Sequence, residues 1–281
     1  MSFFDVLSGH VPGKGRVCAH RGARSLGPEN TLFAFEKAER LGADFIEFDV
    51  RLTGDGELAV FHDEDLARTT DAPARPAFAV RRPWNPRDFS LAELQALDAG
   101  SWFLTSDPFG TVASGELSPL EYGAVRSQRI PSLREVLGFF RKRGLPFNLE
   151  IKDMTGVPGG ERIVAKVLDA LRETGCQELA LLSSFNHGYI AEGKRLAPEI
   201  PWGVLIQGDA PEDPAALVRS LGADAYHPPR DLCPPELAAK LARTGIPVNV
   251  WTVNDPKEAA AYLERGASAV ITDFPHRIRR N

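Results

Sequence analysis

Two charged pairs share one spacing. Glu47 and Asp49 stand two residues apart in "FIEFDV", and Glu150 and Lys152 stand two apart in "NLEIK". Side chains alternate along a β-strand, so the members of each pair point to one face. Ile46, Phe48 and Val50 then point to the other. Carboxylates this close repel, and burying them is costly unless positive charge lies between them. Glu47, Asp49 and Glu150 on neighbouring strands suit one divalent cation. All-oxygen ligation favours Mg²⁺ or Ca²⁺, whereas Zn²⁺ prefers His and Cys. The competing structural reading is an ion-pair network with Arg21 and Lys152.

Further groups bear on which chemistry a cation would serve. His20 and Arg21 sit in "HRG", and His62 precedes Asp63 in "HDED". An arginine fork grips two phosphate oxygens. A metal and a lysine neutralise charge on a phosphoryl group. Two imidazoles share the proton work, one deprotonating the nucleophile and one protonating the leaving oxygen. His20 and His62 are the natural pair. A glycosidase is a second reading, since its two carboxylates stand roughly 5–9 Å apart. Glu47 or Asp49 against Glu150 would serve, but sugar hydrolysis does not need two histidines and an arginine at the same place.

The elements that would position these residues alternate. Strand-like runs are 16–20, 45–50, 147–151, 179–184, 202–206, 224–227, 248–253 and 269–273. Helical runs fall between them at 31–41, 132–143, 161–174, 188–197, 213–221, 234–244 and 256–265. Asn30/Thr31 cap the first, and Gly42, Gly175, Gly245 and Gly266 follow four of the ends. Eight βα units predict an α/β fold of the (β/α)8 TIM-barrel type. In that fold the active site lies at the C-terminal strand ends, where His20, Arg21, Glu47, Asp49, Glu150, Lys152, Ser184, Gln207, His227, Trp251, Asn254, Thr272 and Asp273 fall.

One stretch breaks the rhythm. "GELAVFH" (56–62) reads as an extra strand in a hairpin turned by "TGDG". Residues 64–130 then form an inserted segment between the second and third barrel strands. From 72 onward it is rich in Pro, Gly, Ser and Trp, with one helix-like piece, "SLAELQALD". Loops of that length are usually functional or partly disordered, so a lid or a structural flap is expected. The whole chain, 1–281, reads as a single barrel domain.

Composition narrows the class. Net charge is -5, with Lys and Arg spread along the chain. A nucleic-acid-binding protein usually concentrates basic charge on one face, and the short "HRIRRN" tail does not alter that. Cys18, Cys176 and Cys233 lack metal-ligand spacing and read as reduced thiols. The N-terminal stretch is not a signal peptide. No apolar run approaches the roughly 18 residues of a membrane span. No stable membrane insertion is expected, and the expected location is cytoplasmic. Oligomeric state is not legible.

The segment "AHRGARSLGPENTLFAFEKAERLGADFIEFDVRLTGDGELAVFHDEDLARTT" resembles the glycerophosphodiester phosphodiesterase family. The elements are His20-Arg21-Gly22, Pro28-Glu29-Asn30-Thr31, Glu47-x-Asp49, Asp55-Gly56 and His62-Asp63. "LDAGSWF", "IPSLREVL", "NLEIK", "VNVWTVND" and "ITDFP" extend the resemblance over about 16–275. It implies metal-dependent hydrolysis of small-molecule glycerophosphodiesters to glycerol 3-phosphate and an alcohol. It implies His20 and His62 as the acid/base pair and Glu47, Asp49 and Glu150 as ligands of one divalent cation. Arg21 and Lys152 would bind phosphate. Attack by the substrate's own glycerol hydroxyl, giving a cyclic phosphate, and direct attack by water both remain open.

Weaker candidates are Glu29, Asn30 and Trp251. Asn30 is divided between a helix cap and the site, and Trp251 between stacking on the substrate and rim packing. His227 ends a strand. Residues 72–130 are least like a minimal family member, which leaves substrate choice open. Two alternatives stand. One is a lysophospholipase D-type phosphodiesterase on the same barrel; the other is a non-catalytic phosphate-binding barrel.

Overall fold

The computed structural model describes residues 3–10 and 15–278. Parts of the N-terminal stretch (1–2 and 11–14) and of the basic tail (279–281) lie outside the described residues. The strands are β1 (Arg16–His20), β2 (Phe45–Leu52), β3 (Leu58–Val60), β4 (Phe147–Ile151), β5 (Ala180–Ser184), β6 (Trp202–Leu205), β7 (Ala225–His227), β8 (Asn249–Val250) and β9 (Ala269–Thr272). All pair in parallel except β3, which forms an antiparallel hairpin with β2. The order β7-β6-β5-β4-β2-β1-β9-β8 runs round a barrel. Bridges Tyr226–Val248 and Pro229–Trp251 join its ends. The eight expected barrel strands are all present, the seventh of them shortened to two residues.

The helices are α1 (Phe3–His10), α2 (Leu32–Arg40), α3 (Leu91–Gln95), α4 (Ser101–Ser106), α5 (Tyr122–Arg126), α6 (Leu133–Arg143), α7 (Ile163–Thr174), α8 (His187–Leu196), α9 (Pro214–Ser220), α10 (Pro235–Ala242) and α11 (Pro256–Glu264). Each helix predicted between strands forms. Thr31 alone caps α2, its side chain accepting from the Ala34 amide. Ser132 and Glu135 build a reciprocal capping box at α6.

Alternation along β2 sorts its side chains as the sequence required. Ile46, Phe48 and Val50 face outward into the main apolar cluster. There Phe48 stacks on Phe140 of α6, with centroids 5.4 Å apart, and tilts against Phe35 of α2 at 5.6 Å. Phe45 faces inward near the barrel floor, with Cys18, Leu181, Ala269 and Ile271. Phe3 and Leu7, one helical turn apart on α1, join that inner cluster. The same inward row of β2 continues upward through Glu47 and Asp49.

The inserted segment is more ordered than its composition suggests. It folds into short helices and 3-10 turns around Phe78, Phe89, Leu94 and Leu97, and around Phe103, Leu117 and Val125. Several bonds tie it to the barrel. Thr111 Oγ1 donates to the Ser25 carbonyl, and Lys37 Nζ lies 2.7 Å from Glu121. Gln128 Oε1 accepts from the Phe33 amide, and Glu116 pairs with Arg277 at 2.6 Å. Among the described residues no helix is long and apolar enough to cross a membrane.

Candidate active site

Register brings the acids together. Ladder partners Glu47–Asn148 and Asp49–Glu150 place β2 and β4 side by side, and His20–Glu47 adds β1. One oxygen each from Glu47, Asp49 and Glu150 lies within 4.8 Å of the others, all three side chains being buried. Lys152 Nζ sits between two of them, 2.5 Å from Glu150 Oε1 and 2.8 Å from Asp49 Oδ1. Asp49 Oδ1 is buried and has that ion pair but no further hydrogen-bond donor. The ammonium thus marks where the cluster draws positive charge. With an all-oxygen donor set and one carboxylate oxygen short of a donor, these residues fit a hard divalent cation.

Electrostatics agree. Burial, then the charges of Asp49 and Glu150, push the Glu47 carboxyl well above its usual range. Burial also raises Glu150, although Lys152 pulls against it. Burial would raise Asp49 too, but Lys152, His62 and Arg21 outweigh it and hold this carboxylate well below its usual range. The protein's own cations therefore favour the charged form of Asp49 more than those of Glu47 and Glu150.

Asp49 is clamped by Asn30, whose Nδ2 donates to Asp49 Oδ2 at 2.8 Å and whose Oδ1 accepts from the Asp49 amide at 3.2 Å. Asn30 is thus a support of the cluster, and the helix cap belongs to Thr31. Arg21 and Asn30 both adopt left-handed backbone, with φ of 53° and 58°, which strains a residue bearing a side chain. Two bonds hold them there. The Arg21 amide donates to Glu47 Oε2 at 3.0 Å, and the Asn30 amide to the Arg21 carbonyl at 3.1 Å. Gly22 (φ +82°) follows, where a Cβ would lie 2.7 Å from the α2 backbone.

Both histidines are oriented by carboxylates. His20 Nδ1 lies 2.7 Å from Asp273 Oδ1, and His62 Nδ1 lies 2.7 Å from Asp63 Oδ1. An ionised carboxylate only accepts, so each Nδ1 carries the proton and each Nε2 is left for chemistry. Burial, then the charge of Arg21, push His20 down to about 4, against the pull of Asp273. Burial would raise Asp273, but His20, Arg24 and Asn254 hold it at about 2. Likewise burial opposes, and His62 and Arg68 outweigh it, to hold Asp63 at about 2.

A cleft of about 440 Å³ opens over this cluster. It is lined by His20, Arg21, Glu47, His62, Glu150 and Lys152, together with Arg51, Glu64, Asp153, Phe185, Gln207 and Trp251. The Trp251 ring meets Phe185 edge-on at 5.8 Å while its Nε1 donates to the His227 carbonyl, so it both packs and faces the cleft. Glu29 lies behind the cleft, buried, bonded to Arg21, Arg24 and Arg68. His227 does not join the site. It is fully buried against Asn249 and absent from the lining. Ser184 bonds the Ile151 carbonyl.

Adjacency in the sequence already sets Asp63 beside His62, but nothing local marks Asp273 as the partner of His20. Asp273 appears there as one polar strand end among many. The β1–β9 register, Ala19 opposite Thr272, is what sets it beside His20. Asn254, which donates to Asp273 Oδ2 at 2.8 Å, and Arg68 were likewise unassigned.

Comparison with known proteins gives a consistent picture. The model of the glycerophosphoryl diester phosphodiesterase family matches residues 20–277. The glycerophosphodiester phosphodiesterase of Caldanaerobacter subterraneus subsp. tengcongensis is 34% identical over 262 residues, 93% of this chain and 95% of that one. That of Bacillus altitudinis is 34% identical over 266 residues, 93% and 96% of the two chains. Among solved structures, an Oleispira antarctica phosphodiesterase in complex with the product sn-glycerol-3-phosphate is similar, with a TM-score of 0.78. Its identity is 30%, and the match covers 94% of this chain and 95% of that one.

Proposed function

Because this chain belongs to the glycerophosphoryl diester phosphodiesterase family, we propose that it hydrolyses glycerophosphodiesters to glycerol 3-phosphate and an alcohol. One divalent cation, Mg²⁺ or Ca²⁺, would be held by Glu47, Asp49 and Glu150. The observation that carries this reading is the Glu47, Asp49 and Glu150 cluster beside a cleft lined by Arg21, Lys152 and two carboxylate-oriented histidines. Bound there, the cation supplies charge neutralisation at the phosphoryl oxygens.

The chain's own residues do the rest. Arg21 is fixed through Glu29 and the Glu47 contact, and presents its guanidinium to the phosphate. Lys152 neutralises charge that develops on the phosphoryl oxygens. His20 and His62 work through Nε2. One removes the nucleophile's proton and the other protonates the leaving oxygen. Asp273 and Asp63 keep the rings in the tautomer this requires. Asn30 supports Asp49. The chain is read as one barrel domain, with residues 64–130 as an insertion beside the cleft, and as a cytoplasmic protein.

The test is glycerol 3-phosphate release from glycerophosphocholine, with added Mg²⁺ or Ca²⁺ and with EDTA. Metal-dependent release that a folded His20→Ala protein loses is the expected result. Equal release in EDTA, or near-normal turnover by His20→Ala, would overturn the reading. Release from lysophosphatidylcholine alone would move the substrate to lysophospholipids.

A further inference from the structure

His20 and His62 are not equally well held. The partner of His20, Asp273, follows directly on a barrel strand and is bonded twice to Asn254. The partner of His62 is Asp63, the next residue in a loop, and it is the only side chain bonded to that ring among the described residues. A carboxylate in a loop rotates unless something fixes its plane.

Arg68, six residues on in "HDEDLARTT", does this. Its Nε donates to Asp63 Oδ2 at 2.6 Å and its Nη2 to Asp63 Oδ1 at 3.0 Å. The same guanidinium also grips Glu29, Nη2 to Oε1 at 2.7 Å and Nη1 to Oε2 at 3.0 Å. Glu29 Oε1 in turn accepts from Arg21 Nη1 at 2.7 Å. The Trp102 ring lies 5.8 Å from Arg68 Cζ and completes its setting. Arg68 itself does not line the cleft.

We propose that Arg68 is a positioning residue which fixes the His62 ring through Asp63 and locks it to Arg21 through Glu29. One planar guanidinium thereby sets the spacing between a proton-transfer group and a phosphate-binding group. A lysine presents a point charge without a fork and does not reproduce the geometry. A merely structural role fits less well. The Arg68 side chain is 42% exposed, and buried Glu29 keeps Arg21 and Arg24 if Arg68 is removed. Losing Arg68 therefore leaves no uncompensated buried charge, and the fold should survive.

The inference rests on the proposed role of His62, so the test has one readout that needs turnover and one that does not. Arg68→Gln, Arg68→Lys, His62→Ala and the Arg68→Gln/His62→Ala pair are compared as metal-loaded full-length protein, with thermal melts as the check on folding. For glycerophosphocholine, kcat should fall about 10–100-fold in Arg68→Gln, with little recovery in Arg68→Lys. In the His62→Ala background the same change should cost less than about threefold, because the residue it positions is gone. The second readout is the downfield imidazole Nδ1–H resonance in ¹⁵N-labelled protein, assigned by its loss in His62→Ala. It should disappear or shift in Arg68→Gln. A folded Arg68→Gln protein with unchanged kcat, equal losses in both backgrounds, or an unmoved resonance would overturn the proposal. If the wild type releases no glycerol 3-phosphate, the reaction assignment fails while the resonance still decides whether Arg68 holds the ring.

Discussion

Replacing Asp273 by Asn should disable His20 through its tautomer. His20 Nδ1 donates to Asp273 Oδ1 at 2.7 Å, and Asp273 Oδ2 accepts from Asn254 Nδ2 at 2.8 Å. Asn254 cannot flip freely, because its Oδ1 already accepts from the Asp273 amide at 2.9 Å and from Thr272 Oγ1 at 3.2 Å. The new amide in Asp273→Asn must therefore turn its oxygen toward Asn254 Nδ2. Its NH₂ then faces His20 Nδ1, which must become an acceptor, and the ring proton moves to Nε2. General acid–base catalysis by a positioned group is worth about 10²–10⁴-fold. The ring stays in place in the wrong form, so kcat should fall about 10²–10³-fold, or ~2.7–4.1 kcal/mol. The carboxylate also raises the His20 pKa, so its loss moves that pKa below about 4, away from the assay range. The deficit should then be flat from pH 6 to 9. Glycerol 3-phosphate release under metal saturation measures it. Removing the obstacle should help: Asp273→Asn/Asn254→Ala lets the amide oxygen face His20 and should be more active than Asp273→Asn alone. A folded Asp273→Asn protein within about threefold of wild type, or a double variant no better than the single, would refute the tautomer argument.

Asn30→Ala removes both bonds that clamp Asp49 and should weaken Ca²⁺ binding, measured by calorimetry, about 10–100-fold. Gly203→Ala would put a Cβ 2.4 Å from His227 Nε2 inside the barrel and should cost about 1–3 kcal/mol in urea unfolding. Burial pushes fully buried His227 down to about 3, below its ordinary value of 6.5. Its neutral form is the native one, so this stability is fully present above pH 6.5 and is lost as pH falls toward 3. On the order of 4–5 kcal/mol is involved, and the urea midpoint of His227→Gln should fall less than that of wild type between pH 6.5 and 4.

What could be read from the sequence was set by the length of the signal. The alternation in Phe45–Val50, the polar strand ends and the glycines after the helices gave the barrel and the acid cluster, because each is a local pattern. Within the insertion, α3 falls in the helix-like "SLAELQALD", whereas α4 and α5 have only five or six residues, too few turns for a helical period to emerge. Phe3–His10 carries its apolar residues one turn apart, but only the barrel floor explains why Phe3 and Leu7 are buried. Asp273 lies 253 residues from His20, and nothing local links them before the register of β1 and β9 is known. Asn30 stays divided in the sequence between cap and site because Asn suits both. The choice of Thr31 for the cap freed Asn30 for Asp49.

Lys152 and Arg21 are the cations paired with the acid cluster. Glu47, Asp49 and Glu150 bring three negative charges when ionised, against two positive charges from Lys152 and Arg21. Arg21 is shared with Glu29, although Glu29 also has Arg24 and Arg68. With all three acids ionised and no cation, the floor of the cleft carries one net negative charge. Such a floor does not attract a phosphodiester anion. A divalent cation reverses the sign, leaving about one net positive charge beside the Arg21 fork. Metal should therefore govern binding as well as turnover. In calorimetry, glycerol 3-phosphate should bind the Ca²⁺-loaded protein and lose at least about tenfold in affinity in EDTA, some 1.4 kcal/mol. In Glu47→Gln, which takes away one of the proposed cation ligands, the difference between the Ca²⁺ and EDTA arms should shrink. Equal product affinity with and without metal would show that Arg21 and Lys152 suffice for the anion, and would remove the electrostatic reason for placing a cation on the carboxylates.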